Sequence, residues 1–274
     1  MKSKIAVLLT CYNRKDQTIN CINTLVRENK DIDFRFVVTD DNSTDGTKDE
    51  LKRLPYRIKI LEGDGKLFWN GGMRRAIAFA MKSAEKFEYA LLVNDDVSFY
   101  PGSISKMLDK LNRTGADVIV GATCDSYGEM TYGGVERTSK HFAKFKPMLP
   151  TQSDDQCDTF NCNAVLIKAD VFRAAGNFDD KYTHSMGDYD YGIMLRNKGF
   201  DVISSSEYVG VCEDNDIGGN WRDKSLSRKE RLKLKEGPKG LPRKDWFHFV
   251  RKNYGLFPAL YHSLTPYLRI LIKK

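Results

Sequence analysis

Residues 89–97 read Tyr89-Ala90-Leu91-Leu92-Val93-Asn94-Asp95-Asp96-Val97: an uninterrupted apolar run stopped by three consecutive oxygen-bearing side chains. Such a run predicts a parallel strand buried on both faces, since a strand with one wet face would alternate. The same punctuation occurs twice upstream. Ile5-Ala6-Val7-Leu8-Leu9 runs into Thr10-Cys11-Tyr12-Asn13-Arg14, and Phe34 to Thr39 runs into Asp40-Asp41-Asn42-Ser43. Between these lie helical segments. Ile19, Ile22, Leu25 and Val26 share one stripe of a helix over 16–29, and a short helix is expected over 47–54. A further strand at 58–61 precedes a Gly-rich turn and a helix from about Gly72 to Ser83. Strands alternating with helices over the first hundred residues imply an α/β chain with right-handed crossovers. Its central sheet is mostly parallel, of the Rossmann-like nucleotide-binding type, and flanked by helices.

After Pro101 the pattern loosens. A helix is expected over 103–112, a strand over 118–122, a β-hairpin around Tyr132-Gly133-Gly134 and a polar excursion over 137–157. Asn163 to Ile167 reads as another buried strand, and Asp188 to Lys198 as a helix ended by Gly199. From Ser225 onward helical periodicity returns with Lys/Arg-rich faces. The expected division is an α/β unit over 1–221, in two halves (1–100 and 101–221), and a basic helical C-terminal extension over 222–274.

The net charge of +7 is unevenly placed: from Arg222 onward there are 15 Lys/Arg against 4 Asp/Glu. The rest of the chain is slightly acidic, so the extension is the part suited to an anionic partner. The alternative is a solvated helical face. Six cysteines, at 11, 21, 124, 157, 162 and 212, form no C-x-x-C pair, which points to reduced thiols in a cytosolic protein and away from a zinc knuckle. No run of eighteen apolar residues exists, and the short apolar stretch after Met1-Lys2-Ser3-Lys4 reads as a strand rather than a secretion signal.

Ligands of an open parallel sheet bind at the carboxyl ends of its strands, so the three polar strand ends are expected to line one site. Thr10, Tyr12, Asn13 and Arg14 fall on the donor side of it. Adjacent carboxylates such as Asp95 and Asp96 are unfavourable unless positive charge sits between or beside them. A divalent cation, Mn2+ or Mg2+, would supply that charge, its shell completed by diphosphate oxygens; the alternative is an Asp-rich turn. Asp40 can accept the N3–H of a pyrimidine, while Ser43 and Asp45 suit a turn and a helix cap.

These segments, in this order, resemble the successive signatures of family 2 glycosyltransferases with the GT-A fold. Asp40-Asp41-Asn42-Ser43-Thr44-Asp45-Gly46-Thr47 is similar to a stretch common in that family, and Asn94-Asp95-Asp96-Val97 resembles its rhamnosyltransferase-like branch. The resemblance spans roughly 4–215. It implies that Asp96 is the direct metal ligand and that Asp95 lies near the donor ribose or the metal. Phe68-Trp69-Asn70-Gly71-Gly72-Met73-Arg74-Arg75 resembles the Gly-rich segment beside the donor. There Asn70 and Gly71 would meet the donor, Arg74 or Arg75 would offset the diphosphate charge, and Trp69 would face the acceptor. His184-Ser185-Met186-Gly187-Asp188-Tyr189-Asp190 matches the family's Glu-Asp-x-Asp, with Gly187 in place of Glu. The resemblance implies that Asp188 is the general base and that Asp190 stands on the acceptor side. Where the family often carries a metal-binding His, this chain has Val211-Cys212-Glu213-Asp214-Asn215; Glu213 or Asp214 are the candidate substitutes, and Cys212 reads as a buried small side chain.

The function implied is inverting transfer of a sugar from a UDP- or dTDP-linked donor, rhamnose included. The acceptor is a hydroxyl of a glycan or lipid-linked molecule in bacterial-type cell-surface polysaccharide synthesis. The expected setting is cytoplasmic, or peripheral on the inner face of the membrane, with no nucleic acid as partner. Aromatic Trp246, Phe247 and Phe249 beside Arg243-Lys244 and Arg251-Lys252, and the apolar residues from Leu256 to Ile272, suit contact with anionic membrane. Packing against the catalytic unit, or a homodimer interface, is the competing expectation. The rival activity is sugar-phosphate nucleotidyl transfer, which wants a glycine-containing phosphate loop after the first strand; Thr10 to Arg14 has no glycine. An inactive membrane- or polymer-binding module is the non-catalytic rival.

Overall fold

The computed structural model describes residues 2–214 and 218–272; Asn215 and Lys273-Lys274 lie outside them. The first half runs β1 (Lys4–Cys11), α1 (Lys15–Glu28), β2 (Asp33–Asp40), α2 (Thr47–Arg53), β3 (Ile58–Glu62), α3 (Phe68–Lys82) and β4 (Tyr89–Val93). These strands form the parallel block β3-β2-β1-β4. Then follow β5 (Ser98–Phe99), α4 (Ser103–Thr114), β6 (Val118–Cys124), β7 (Met130–Tyr132), β8 (Gly134–Arg137), β9 (Phe145–Pro147), β10 (Thr159–Phe160), β11 (Ala164–Lys168), α5 (Ala169–Ala175), α6 (Gly187–Asn197) and β12 (Val202–Val211). The extension carries α7 (Arg228–Glu236), α8 (Arg243–Tyr254) and α9 (Leu256–Ile272).

The sheet continues past β4 as β11-β6-β12-β5, with β7 on β6. β11 runs antiparallel between β4 and β6, so the parallel character belongs to the nucleotide half and the far half is mixed. The expected hairpin at 132–134 does not form. Tyr132 pairs with Thr123 of the main sheet, whereas Gly134 pairs with Phe160 in a separate three-stranded sheet, β10-β8-β9. The polar excursion expected over 137–157 contains β9, the third strand of that small sheet.

The period of two sorts the core into two layers. Ile5, Val7 and Leu9 of β1, with Leu91 and Val93 of β4 and Leu166 of β11, face α1 and α4 through Ile22, Leu25, Ile104 and Met107. The alternate residues Ala6, Leu8, Ala90, Leu92, Val165 and Ile167 face α3, α5 and α6 through Met73, Ile77, Phe172 and Tyr191. Both faces are covered, which is why residues 5–9 of β1, 90–93 of β4 and 164–167 of β11 carry no polar side chain. All six cysteines are buried free thiols. Among the described residues no helix is long and apolar enough to cross a membrane.

Trp246, Phe247 and Phe249 do not form an interfacial surface. Phe249 is fully buried and stacks on Trp246, and with Phe247 they join Tyr182, Ile193 and Phe145 in a third apolar cluster. α8 is therefore glued to α6 by the packing that was the competing expectation for these aromatics.

Candidate active site

Register places the three polar strand ends side by side: Cys11 pairs with Asp40, and Leu8 with Leu92, so the residues after β1, β2 and β4 emerge at one edge. Loop-to-loop bonds then weld them. Asn13 donates its backbone N–H to Ser43 Oγ at 2.9 Å, and its Oδ1 accepts from Thr44 N at 2.7 Å. Asp45 accepts from Lys15 N at 2.9 Å and Thr47 N at 3.1 Å, securing the starts of both α1 and α2. Asp40 is buried and accepts from Ser43 N at 2.9 Å. Thr10 is spent on the fold, donating to Thr39 O at 3.0 Å, whereas Tyr12 is exposed at the rim.

Asp95 and Asp96 do have a positive charge between them. The Arg14 guanidinium sits 2.7 Å from Asp96 Oδ2 and 3.3 Å from Asp95 Oδ1. Asp95 is 5% exposed and also accepts from Thr18 Oγ1 at 3.1 Å. Burial pushes its carboxyl up to about 6, against the pull of Arg14. Asp96 is the more open of the two. Among the described residues no third His, Cys, Asp or Glu completes a metal-binding group with them. Glu213 accepts from Ser126 N at 3.0 Å, and Asp214 from Tyr132 OH at 3.0 Å, so these two candidate substitutes serve the β6–β7 turn. The group that does meet Asp96 is Cys212, whose Sγ–H donates to Asp96 Oδ1 at 3.4 Å. Burial, then Asp96, raises that thiol and keeps it protonated. One open carboxylate beside a buried one fits Mg2+ or Mn2+, which complete an oxygen shell from water and phosphate rather than from a protein cage.

The Gly-rich segment is built differently from the expectation. α3 begins at Phe68 because Asp41, buried at the end of β2, accepts from Leu67 N at 2.9 Å and Phe68 N at 3.2 Å. A Cβ on Gly72 would lie 2.0 Å from Thr10 Oγ1, so this glycine lets α3 close on β1. Gly71 faces Leu67 of its own helix. Asn70 is fully buried and donates to Asp179 O at 3.0 Å and Tyr182 O at 2.8 Å, holding the loop before α6. Arg74 donates to Phe178 O at 3.0 Å, and Arg75 is exposed. Trp69 reaches the strand end: its Nε1 donates to Asn94 Oδ1 at 2.8 Å, and its ring leans on Phe178.

Asp188 lies in the first turn of α6, two residues after the cap position Met186, with its Oδ1 2.8 Å from Tyr189 N. Burial pushes its carboxyl up to about 6, opposed by bonds from the backbone of Tyr189 and Cys162 and the Asn161 side chain. Asp190 is turned to the extension, accepting from Lys252 Nζ at 2.6 Å and Asn253 Nδ2 at 2.9 Å. His184 accepts from Trp69 N at 3.4 Å and is driven down to about 4 by burial and by Lys239 of the α7–α8 loop. That imidazole is neutral, and the extension is close enough for Lys239 to act on it.

Residues 161–163, to which the sequence reading gave no part in the site, connect its two halves. Asn161 and Cys162 bond Asp188, while the next residue, Asn163, accepts from Asn94 N at 3.3 Å and donates to Cys212 Sγ at 3.2 Å. Cys212 in turn bonds Asp96. The available signal was two asparagines flanking the residue that opens a buried strand. Backbone strain marks the same place. The four non-glycine residues with left-handed φ among those described are Asn13, Asn42, Phe68 and Met186, one in each quoted loop. For Phe and Met this conformation is costly, and such strain clusters at functional sites.

The parallel block β3-β2-β1-β4 with its mixed continuation is the GT-A architecture of glycosyltransferases. The chain belongs to glycosyl transferase family 2, whose model matches residues 6–172. It is 23% identical over 188 residues to the N-acetylglucosaminyl-diphospho-decaprenol L-rhamnosyltransferase of Mycobacterium tuberculosis, across 60% of this chain and 61% of that protein. The fold is also that of the mannosyltransferase PcManGT from Pyrobaculum calidifontis, solved with GDP-Man and Mn2+ (TM-score 0.58, 16% identity, 99% of this chain and 74% of that one). S. aureus TarS 1-349 with UDP-GlcNAc is similar to the same degree (TM-score 0.58, 14% identity, 100% and 76%).

Proposed function

We propose that this transferase moves a sugar, with inversion, from a UDP- or dTDP-linked donor to a hydroxyl of a glycan or lipid-linked acceptor in cell-surface polysaccharide synthesis, rhamnose being one candidate sugar. The observation that carries this reading is the bonded path from Asp96 through Cys212, Asn163 and Cys162 to Asp188. It fixes a charge-binding pair and a proton acceptor on one frame, as a single in-line displacement requires. The relatives' names support the class of donor and acceptor. In this reading Asp40 holds the base, Tyr12 and Asn13 border the nucleotide, and Arg14 meets the diphosphate. Asp96, with Asp95, holds Mn2+ or Mg2+, which when bound stabilises charge on the leaving diphosphate. Asp188, with a carboxyl near 6, is ionised at neutral pH yet basic enough to take the acceptor proton. Trp69 and the neutral His184 border the sugar.

The division into a catalytic unit over 1–221 and an extension over 222–274 is part of this proposal, as is a cytoplasmic, membrane-peripheral setting. Thermal-shift titration with UDP, dTDP and GDP, each with and without Mn2+, tests it: one diphosphate with metal raises the melting temperature. No stabilisation by any of them, and no diphosphate release from the matching sugar nucleotides, would overturn it.

A further inference from the structure

Leu256 to Ile272 fold into one 17-residue helix, α9, despite Pro266 inside it. A proline removes the N–H that would bond the carbonyl four residues back, here His262 O. Trp246 Nε1 on α8 supplies the missing donor at 3.0 Å. One face of α9 is thereby fixed against the body, with Ala259, His262, Ser263, Pro266 and Ile270 buried. The opposite face carries Phe257 (84% exposed), Leu260 (51%), Tyr261 (57%), Leu264 (63%) and Leu268 (49%). Their spacing of three and four draws a single apolar stripe about 17 Å long. Exposed Phe142 packs its ring on Tyr261 and widens it.

We propose that this face of α9 docks on an anionic lipid surface, lying on it rather than crossing it. The inference deepens the acceptor reading above by naming the surface, and for its purpose it rests on that reading. Charge selects the occupant. α9 contains no Asp or Glu. Arg269 is exposed on α9 next to Leu268, and Lys144 is exposed beside Ala143, whose N–H donates to His262 Nε2 at 3.2 Å, so cations stand on two sides of the stripe. An apolar stripe rimmed by cations is what an interfacial helix presents to anionic headgroups. Two copies packed through the same face would instead set like-charged rims together, with no acidic residue on α9 to offset them. The docked helix pair is also joined to the candidate catalytic helix, through Lys252 on Asp190 and Phe249 in one apolar cluster with Ile193. A surface held by α9 would thus set the distance between α6 and a lipid-borne hydroxyl.

Co-sedimentation of the full chain with vesicles of phosphatidylcholine, alone or with about a third phosphatidylglycerol, tests this. Binding is expected only to the anionic vesicles and should weaken with salt. Leu260→Glu/Leu264→Glu changes exposed positions and should lower binding about tenfold or more, with nucleotide-induced stabilisation unchanged. Lys144→Glu/Arg269→Glu should lower it about tenfold at low salt. A folded wild type that ignores both vesicles overturns the proposal. So does a wild-type dimer that Leu260→Glu/Leu264→Glu splits into monomers, which gives the face to a second copy. Vesicle binding by a protein that transfers no sugar would sink the functional reading alone.

Discussion

The Arg14 guanidinium bridges both carboxylates at the end of β4, 2.7 Å from Asp96 and 3.3 Å from Asp95. It offsets one of the two negative charges whenever no other cation does. Arg14→Gln leaves the buried Asp95 facing Asp96 unaided. With the Arg14 side chain 41% exposed, the loss is about 1–2 kcal/mol rather than the larger figure for a fully buried pair. Mn2+ should then stabilise the variant more than the wild type, and EDTA should remove the difference. Calorimetry with and without Mn2+ reads this directly; an equal response in both proteins would show that arginine and metal do not share the carboxylates.

Asp188 offers a test in which activity and stability move in opposite directions. Its carboxyl is raised from 3.8 to about 6 by burial. The folded protein therefore retains a proton that the unfolded chain has released between about pH 4 and pH 6. The stability from this group is present below pH 4 and lost as the pH rises through 6, on the order of 2–3 kcal/mol. Asp188→Asn should melt higher than wild type at neutral pH, with the gain vanishing near pH 4. Turnover should fall by about 10²-fold or more with donor affinity unchanged. Wild-type kcat/KM should climb with pH below about 6 and level off above it. A lower melting temperature in Asp188→Asn would make this residue part of the scaffold.

Gly187 packs against Asn70 with no room for a side chain. A Cβ on Gly187 would lie 2.0 Å from Asn70 Oδ1, an atom that is buried and has no hydrogen-bond partner among the described residues. Gly187→Ala should therefore destabilise by about 1–3 kcal/mol through overpacking. In Asn70→Ala the same substitution should cost much less, giving a coupling measurable by a denaturant double-mutant cycle. Additive effects would mean that the loop moves away freely.

How much of this was legible in the sequence depended on the reach of the interactions. β4 falls on the expected residues because an apolar strand with a polar stop is a local signal. α3 starts four residues before the expected Gly72 because its first turn is held by Asp41, 26 and 27 residues away in sequence. The strand ends were readable from the rule for parallel sheets. The path through 161–163 was not, since Asn163 acts on Asn94 and Cys212, each reached only by the strand order β4-β11-β6-β12. Cys212 read as a small buried residue; it is one, and its thiol also bonds Asp96.

Trp246 illustrates the same reach in the extension, and its role can be isolated. Its ring is part of the third apolar cluster, and its Nε1–H serves the carbonyl that Pro266 orphans. Thr265 Oγ1 also donates to His262 O, at 3.2 Å, so loss of the indole leaves a weakened bond rather than none. Trp246→Phe keeps an aromatic ring but removes the donor, and should destabilise by about 1–2 kcal/mol through the under-satisfied carbonyl plus the lost ring volume. Pro266→Ala restores the N–H that reaches His262 O. In that background Trp246→Phe should lose only the packing share, so the two substitutions are expected to be coupled. Hydrogen exchange of the 267–272 amides adds a local readout, with faster exchange expected in Trp246→Phe and slower in the double variant. Identical exchange in wild type and Trp246→Phe would mean that packing alone, without the indole bond, holds α9 through its proline.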